Sequence, residues 1–178
     1  PLTRPAPPNG KVIDQEGQYV LYKIPTTGYF DLVDTVAPPL FANRKHMNLA
    51  PAAFLKDPAL AAKRFKEVKF DDDPAPLPTS IDGNVAGSAG TFSELVADPE
   101  HGKFAANIKA RRTSIVLLKA TYHPRWEVFV DGKKAKVEMI SPALAGVRVS
   151  PGEHNVLFRY RSYQWYLPLW IIGALTLV

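Results

Sequence analysis

The chain has no cysteine among its 178 residues and only two methionines. Without cysteine it forms neither disulfide bonds nor a thiolate metal site, and this absence does not identify its compartment. The histidines are spaced too irregularly to place two side chains on one face of a helix or strand; they are His46, His101, His123 and His154. The sequence therefore predicts no metal site and no cofactor.

Catalytic signatures are scarce as well. The chain has no Gly-x-Ser-x-Gly nucleophile elbow, and its glycine-rich stretch from Ser80 to Gly90 lacks the Lys-Ser or Lys-Thr pair of a Walker-type phosphate loop. Carboxylates such as Asp31, Asp34 and Glu127 could form an acid–base pair only through the fold, which sequence cannot show. We therefore expect no catalytic residue in this chain, and a free-standing hydrolase is the least favoured function.

Long runs of one charge are also missing. The net charge is +5, yet Lys and Arg occur in pairs at most, with carboxylates between them. No aromatic motif of the RNA-binding type accompanies the basic residues. This pattern is typical of a mixed surface, so the sequence predicts no nucleic-acid partner.

What the chain does contain is strand-forming sequence, centred on residues 115–154. Ser114 to Ala120 is almost entirely apolar, which is typical of a strand buried on both faces. Pro124 lacks the N–H that a sheet ladder needs, so we expect a corner there. A new strand begins at Trp126, with Trp126, Val128 and Val130 on one face.

Asp131-Gly132 then predicts a tight hairpin turn, because both residue types tolerate positive φ. The return strand is expected from Ala135 to Ile140. Its Lys136 and Glu138 alternate with apolar residues, which predicts that both charged side chains face water.

A second turn is predicted at Pro151 and Gly152, between a strand at Leu144 to Val149 and a last strand that reaches Tyr160. We expect His154 to hold this turn through a backbone bond. These patterns together predict consecutive antiparallel strands from Thr113 to Tyr160.

The amino-terminal half is less regular. Residues 1–10 are proline-rich and predict an extended lead-in, whereas 17–24 and 29–36 predict a hairpin with its turn at 25–28. Residues 48–66 have apolar positions near helical spacing, interrupted by Pro58, which predicts a small helical insert. The fold class expected for residues 11–161 is mostly β: a jelly-roll-like antiparallel β-sandwich.

Residues 162–178 have a different character. No charged residue follows Trp165, and Tyr163, Trp165, Tyr166 and Trp170 cluster as they do at a membrane interface. The uncharged run is shorter than a bilayer-spanning helix, so we interpret it as the truncated start of a transmembrane helix. A buried terminal element of a soluble protein is the alternative.

Motifs in the last third of the chain resemble the carboxyl end of the YfhO-like family of bacterial membrane proteins, which are related to GT-C glycosyltransferases. The resemblance rests on Tyr122-His123-Pro124-Arg125-Trp126, on Val130-Asp131-Gly132-Lys133, and on Val149 to Val156 followed by Phe158-Arg159-Tyr160. His123 and Arg125 depart from the Tyr and Gly of the family. The resemblance implies a domain on the extracytoplasmic side of the bacterial cell membrane, with the catalytic carboxylate of the parent protein outside this chain.

The candidate binding residues are Tyr122, His123, Arg125 and Trp126. Two aromatic rings and two polar donors at one corner are suited to stacking on a sugar and bonding its hydroxyls, so the predicted partner is a glycan or lipid-linked sugar. For Trp126 itself, a core position with its indole nitrogen satisfied is favoured over a sugar platform. A structural or protein-interaction module without a small ligand is therefore the second function hypothesis.

Overall fold

The structure is a computed structural model that describes residues 7, 9–36, 38–46, 52, 54–57, 64–71, 87–163 and 166–176. The elements whose full range lies within these residues are thirteen strands, one 3-10 helix and one α-helix. The strands are β1 (Lys11–Glu16), β2 (Tyr19–Lys23), β3 (Phe30–Val33), β4 (Leu40–Ala42), β5 (Glu67–Phe70), β6 (Gly90–Asp98), β7 (Lys103–Ala110), β8 (Ser114–Thr121), β9 (Trp126–Val130), β10 (Lys133–Ala135), β11 (Glu138–Ile140), β12 (Leu144–Val149) and β13 (Gly152–Tyr160). The 3-10 helix is Arg44–His46, and α1 is Tyr166–Leu175.

Two larger sheets share the main core, which confirms the mostly β, sandwich-like architecture. One sheet has the order β10-β9-β13-β7-β6, and the other has the order β3-β8-β12-β11-β5-β4. Val128 and Phe158 from the first sheet and Phe30 and Leu118 from the second are each 0% exposed in this core. A fully buried side chain of this kind stabilises the fold by about 1.5–3 kcal/mol.

Strand β8 is buried on both faces, as its apolar sequence predicts. Val116 and Leu118 face the core between the sheets, while Ile115 and Leu117 pack with Ile140 on the opposite face. The chain then turns at Pro124 and enters the other sheet at Trp126, so the predicted corner is confirmed.

The predicted hairpin of 17–24 with 29–36 is wrong. Strand β1 pairs with β2 instead, and β3 pairs with β8 in the six-stranded sheet. Gly17, with φ of 56°, lies in the turn between β1 and β2. Phe30 then enters the main core, which takes β3 away from β2.

The predicted return strand from Ala135 to Ile140 is also wrong as one element. Its first part is β10, which pairs with β9, and its last part is β11, which pairs with β12 and β5 in the other sheet. Lys136 and Val137 connect the two sheets. Glu138 consequently lies on the face of the six-stranded sheet that also carries Ile140, where it is 9% exposed, rather than facing water.

The two predicted turns have different outcomes. Asp131 and Gly132 adopt φ of 52° and 76° between β9 and β10, which confirms the tight hairpin turn. The turn at Pro151 and Gly152 joins β12 to β13, which lie in different sheets. Residues 113–160 are therefore not consecutive paired strands, because β8, β9, β12 and β13 alternate between the sheets.

Most of the predicted lead-in at 1–10 and of the helical insert at 48–66 lies outside the described residues. Within the insert, Ala52 and Phe54 are helical, and Phe54 is 1% exposed. Helix α1 leaves the sheets with its large side chains exposed, so it is not a buried strand of the sandwich. Among the described residues, no helix has the length and apolar character needed to cross a membrane.

Candidate functional site

The candidate site is the corner of residues 122–126, where the chain passes from β8 to β9. Backbone bonds fix its shape. The N–H of Tyr122 donates to the carbonyl of Ala143 at 2.7 Å, and that of Trp126 donates to the carbonyl of His123 at 3.0 Å. The corner is thus held to a neighbouring loop and to itself before any side chain is considered.

Trp126 belongs to the core. It is 9% exposed, and its indole Nε1 donates to the carbonyl of Thr121 at 3.0 Å. Its ring lies edge-on to Tyr160, with centroids 5.2 Å apart, and is 6.0 Å from the ring of Phe104. The core alternative for Trp126 is therefore the one observed, and its ring is not a free stacking face.

Tyr122 is half-buried and also packs inward. Its ring centroid lies 6.3 Å from that of Phe70, beside a small core formed by β4, β5 and β11. Two of the four predicted site residues thus contribute to packing.

Of the other two predicted site residues, His123 is exposed and Arg125 is half-buried. The backbone N–H of Arg125 donates to His123 Nδ1 at 3.1 Å, and Tyr160 Oη lies 3.3 Å from the same nitrogen. The guanidinium carbon of Arg125 stacks 4.4 Å from the ring centre of Tyr163. This stack divides the surface around the corner into two clefts.

The first, which we name the aromatic cleft, has a volume of about 770 Å³ and runs along the foot of α1. Four tyrosines line it: Tyr29, which precedes β3, and Tyr160, Tyr163 and Tyr166 from the segment that joins β13 to α1. Sequence analysis identified Tyr163 and Tyr166 as interfacial aromatics. It missed Tyr29 and Tyr160 as site residues, because nothing in their local sequence indicates that the fold brings them together.

The second, which we name the basic cleft, has a volume of about 590 Å³ on the other side of the Arg125–Tyr163 stack. Its cationic side chains are Arg44, Arg125, Lys134, Lys136 and Arg161, and Glu127 is the carboxylate in its lining.

Glu127 organises the floor of the basic cleft. Its carboxylate accepts from Lys134 Nζ at 2.8 Å and from Arg159 at 3.0 Å, and it lies 3.7 Å from Arg161. The bonds from Lys134 and Arg159 lower the pKa of Glu127 to about 2. This carboxylate therefore stays ionised at any physiological pH.

The predicted structural turns are joined by a single histidine. His154 Nδ1 lies 2.8 Å from Asp131 Oδ2, and its Nε2 lies 3.1 Å from the carbonyl oxygen of Ser150. The second contact lies between the His154 ring and the backbone of the turn before Gly152. The hydrogen bond from His154, followed by that from the N–H of Asn155, lowers the pKa of Asp131.

A buried ion network, which sequence analysis missed, lies on the outer face of the six-stranded sheet. Arg148 bonds to Glu67 and lies 3.3 Å from Glu138, and Thr35 Oγ1 donates to Glu67 at 3.0 Å. Burial, opposed by the charge of Arg148, raises the pKa of Glu138. Glu67 is 1% exposed, so this carboxylate pair faces Arg148 rather than a substrate from solution.

A shallow groove of about 520 Å³ crosses the outer face of the five-stranded sheet. Its polar groups bond to one another: Asn155 Nδ2 donates to Asn107 Oδ1 at 3.0 Å, and Lys109 pairs with Glu153 at 2.9 Å. Across the described part of the chain, no three His, Cys, Asp or Glu residues are arranged to hold a metal ion.

Comparison of the chain with protein-family models, with curated proteins and with solved structures finds no match. The resemblance to the YfhO-like family therefore stays a prediction.

Proposed function

We propose that this chain is an extracytoplasmic domain of a bacterial membrane protein, and that its aromatic cleft holds a saccharide close to the bilayer. The observation that carries the proposal is the position of four tyrosines at the foot of α1, a helix without a charged residue. In this proposal the two larger sheets form a jelly-roll, and residues 162–178 begin a transmembrane helix.

The exposed surface of α1 supports the membrane part of the proposal. Leu169, Trp170 and Leu175 are 56%, 71% and 73% exposed. Apolar surface left in water costs about 25 cal/mol per Å², so transfer of these side chains to a hydrocarbon environment is favourable. Tyr163 and Tyr166 at the start of the helix have the amphipathic rings that favour a membrane interface.

The composition of the aromatic cleft supports saccharide binding. Tyrosine rings stack on the apolar face of a sugar, and their hydroxyls bond to sugar oxygens. Arg125, held over Tyr163, presents a planar fork of donors to the same space. Since Trp126 is buried, the stacking faces in this proposal are Tyr163 and Tyr166.

Calorimetric titration of the whole chain with cell-envelope oligosaccharides tests this assignment. Tyr163→Ala and Tyr166→Ala should each weaken binding about 2- to 13-fold, the equivalent of about 0.5–1.5 kcal/mol for an aromatic contact. Tyr19→Ala is the matched control, because Tyr19 is 74% exposed, Tyr166 is 68% exposed, and Tyr19 lies on β2 outside the cleft. Absence of binding at millimolar saccharide would refute the saccharide assignment.

Flotation with phosphatidylcholine vesicles tests the membrane part separately. The wild-type chain should float with the vesicles, and a Leu169→Asp/Trp170→Asp variant should remain in the soluble fraction, because a charge on α1 opposes insertion. Equal flotation of both proteins would contradict insertion through α1.

A structural module without a small ligand is the second candidate function. The observation that favours it is the inward packing of Trp126 and Tyr122, which makes half of the predicted sugar-binding set part of the core. The YfhO-like resemblance extends the leading proposal to the parent protein, a membrane glycosyltransferase of the cell envelope whose catalytic residues lie outside this chain.

A further inference from the structure

The β1–β2 hairpin stands apart from the sandwich. It forms a two-stranded sheet of its own, and among the described strands neither β1 nor β2 pairs with a strand of the two larger sheets. Tyr22 is half-buried, and every other residue of the two strands is exposed. A two-stranded sheet alone is marginally stable at best in water, because it buries little apolar surface. A partner that covers one face of this hairpin would therefore stabilise it.

A shift in strand register decides which side chains share a face of the hairpin. The shift lies between Val12 and Asp14 and inserts one extra residue into β1. Lys11 consequently lies on the same side of β1 as Asp14 and Glu16. Directly paired residues project from one side of a sheet, so the partners of these three on β2 join them. One face, which we name the hairpin face, therefore carries Lys11, Asp14, Glu16, Tyr19, Leu21 and Lys23.

Charge is polarised along the hairpin face. The carboxylates of Asp14 and Glu16 lie toward the turn, whereas Lys11 and Lys23 are directly opposite each other at the far end. Like charges directly opposite each other in a sheet are destabilising. Within the described part of the chain, no ion pair joins any of these four residues to another side chain. The face thus has an acidic end and a basic end, and neither is neutralised by this copy of the protein.

A second copy of the chain has the surface that complements the hairpin face. A two-fold axis that lies between two such faces and runs across the strands reverses the strand direction of one copy relative to the other. Lys11 of each copy then faces the Asp14 and Glu16 carboxylates of the other copy. Tyr19 and Leu21, which are 74% and 58% exposed, lie on the neighbouring strand and are covered by the same contact. An interface in which both copies use the same patch is self-complementary, as in most homodimers.

We propose that two copies of the chain associate through the hairpin face. Its charge pattern favours a second copy over a bilayer surface, because carboxylates such as Asp14 and Glu16 are costly to place against hydrocarbon. The face is small beside the roughly 800 Å² per partner of a standard protein interface, so the expected dimer is weak. The inference does not depend on the proposed saccharide function, since the residues of the hairpin face line neither cleft.

Sedimentation equilibrium of the whole chain measures this association. Every protein in the series carries Leu169→Asp/Trp170→Asp, so that association through the exposed side chains of α1 is suppressed. The parent protein of the series should dimerise more weakly as salt is added, because exposed charges are screened. Lys45→Glu/Arg111→Glu is the matched control, since it reverses two exposed cations outside the hairpin and should leave the dimer unchanged.

Two charge-reversal variants test the polarity of the face. The acidic variant, Lys11→Glu/Lys23→Glu, has carboxylates at both ends, and the basic variant, Asp14→Lys/Glu16→Lys, has lysines at both ends. Each should dimerise about tenfold or more weakly than the parent of the series, because every reversed charge acts twice in a two-fold dimer. An equimolar mixture of the two should form a heterodimer, since each then meets the opposite charge at both ends. This recovery also shows that both variants keep a folded hairpin.

Recovery of association in the mixture supports the dimer. Absence of self-association by the parent of the series at about 0.1–1 mM protein would overturn the proposal. So would a mixture that associates no more tightly than either variant alone, or an equal weakening in the control. With α1 intact, flotation on phosphatidylcholine vesicles that the charge-reversal variants lose would assign the hairpin face to the bilayer instead. Saccharide affinity should be the same in all these variants, so failure of the dimer is distinguishable from failure of the proposed function.

Discussion

Replacement of Arg148 by Met should destabilise the protein far more than loss of a surface ion pair. Arg148 is the cation that compensates Glu67 and Glu138, whose side chains are 2% and 9% exposed. Removing one partner of a buried pair leaves an uncompensated charge and costs roughly 3–5 kcal/mol. The protein should therefore lose a large part of the stability of an ordinary domain, which is about 5–15 kcal/mol.

This loss should depend on pH in a defined direction. Burial already raises the pKa of Glu138 above its ordinary value of 4.5. A carboxyl with a raised pKa in the folded state binds protons more tightly there than in the unfolded chain. Ionisation of Glu138 therefore costs no folding stability below pH 4.5, and the loss of stability grows as the pH rises through the folded-state pKa. Without the opposing charge of Arg148, this dependence should become steeper.

Urea unfolding at neutral pH and at pH 4.5, the ordinary pKa of Glu138, measures the effect. Arg159→Met is the matched control, because Arg159 pairs with Glu127 at 55% side-chain exposure and such pairs contribute roughly 0–1 kcal/mol. Adding Glu67→Gln and Glu138→Gln to Arg148→Met should restore much of the stability at neutral pH. A loss equal to that of the control, or one independent of pH, would refute the assignment of this network as buried and charged.

Two further predictions concern Trp126 and Asp131. Trp126→Ala should lose about 3–5 kcal/mol of unfolding free energy in the same assay, because the ring is in the core. Trp126→Phe should lose less. A loss below about 1 kcal/mol for Trp126→Ala would contradict core packing. The pKa of Asp131 is lowered in the folded state, so its ionised carboxylate stabilises the fold above pH 3.8, the ordinary pKa of the group. This stabilisation disappears as the pH falls through the lowered pKa. Asp131→Asn should therefore show a smaller loss of stability on acidification than the wild type, whereas identical pH profiles would show that the His154 contact does not stabilise the folded state.

The sequence alone was sufficient for features that depend on neighbouring residues. The double-sided burial of β8 follows from its uninterrupted apolar run, and the Asp131-Gly132 turn follows from the tolerance of these residue types for positive φ. Alternation at Trp126 correctly placed one face of β9 in the core. Each of these properties is decided within a few residues of chain.

Strand pairing was decided by the tertiary structure. Alternation specifies which face of a strand is buried, but it does not specify the neighbouring strand, so β3 pairs with β8 rather than with β2. For the same reason the chain between Ala135 and Ile140 serves two sheets rather than one.

The candidate sites depend on long-range convergence even more strongly. Glu138 alternates with apolar residues as a solvent-facing residue would, and only the approach of Arg148 from another strand makes its burial tolerable. Tyr29 and Tyr160 likewise line one cleft although they are far apart along the chain. Sequence determined the local geometry of this protein, whereas packing of the two larger sheets determined which charges and rings meet, because those contacts join residues far apart along the chain.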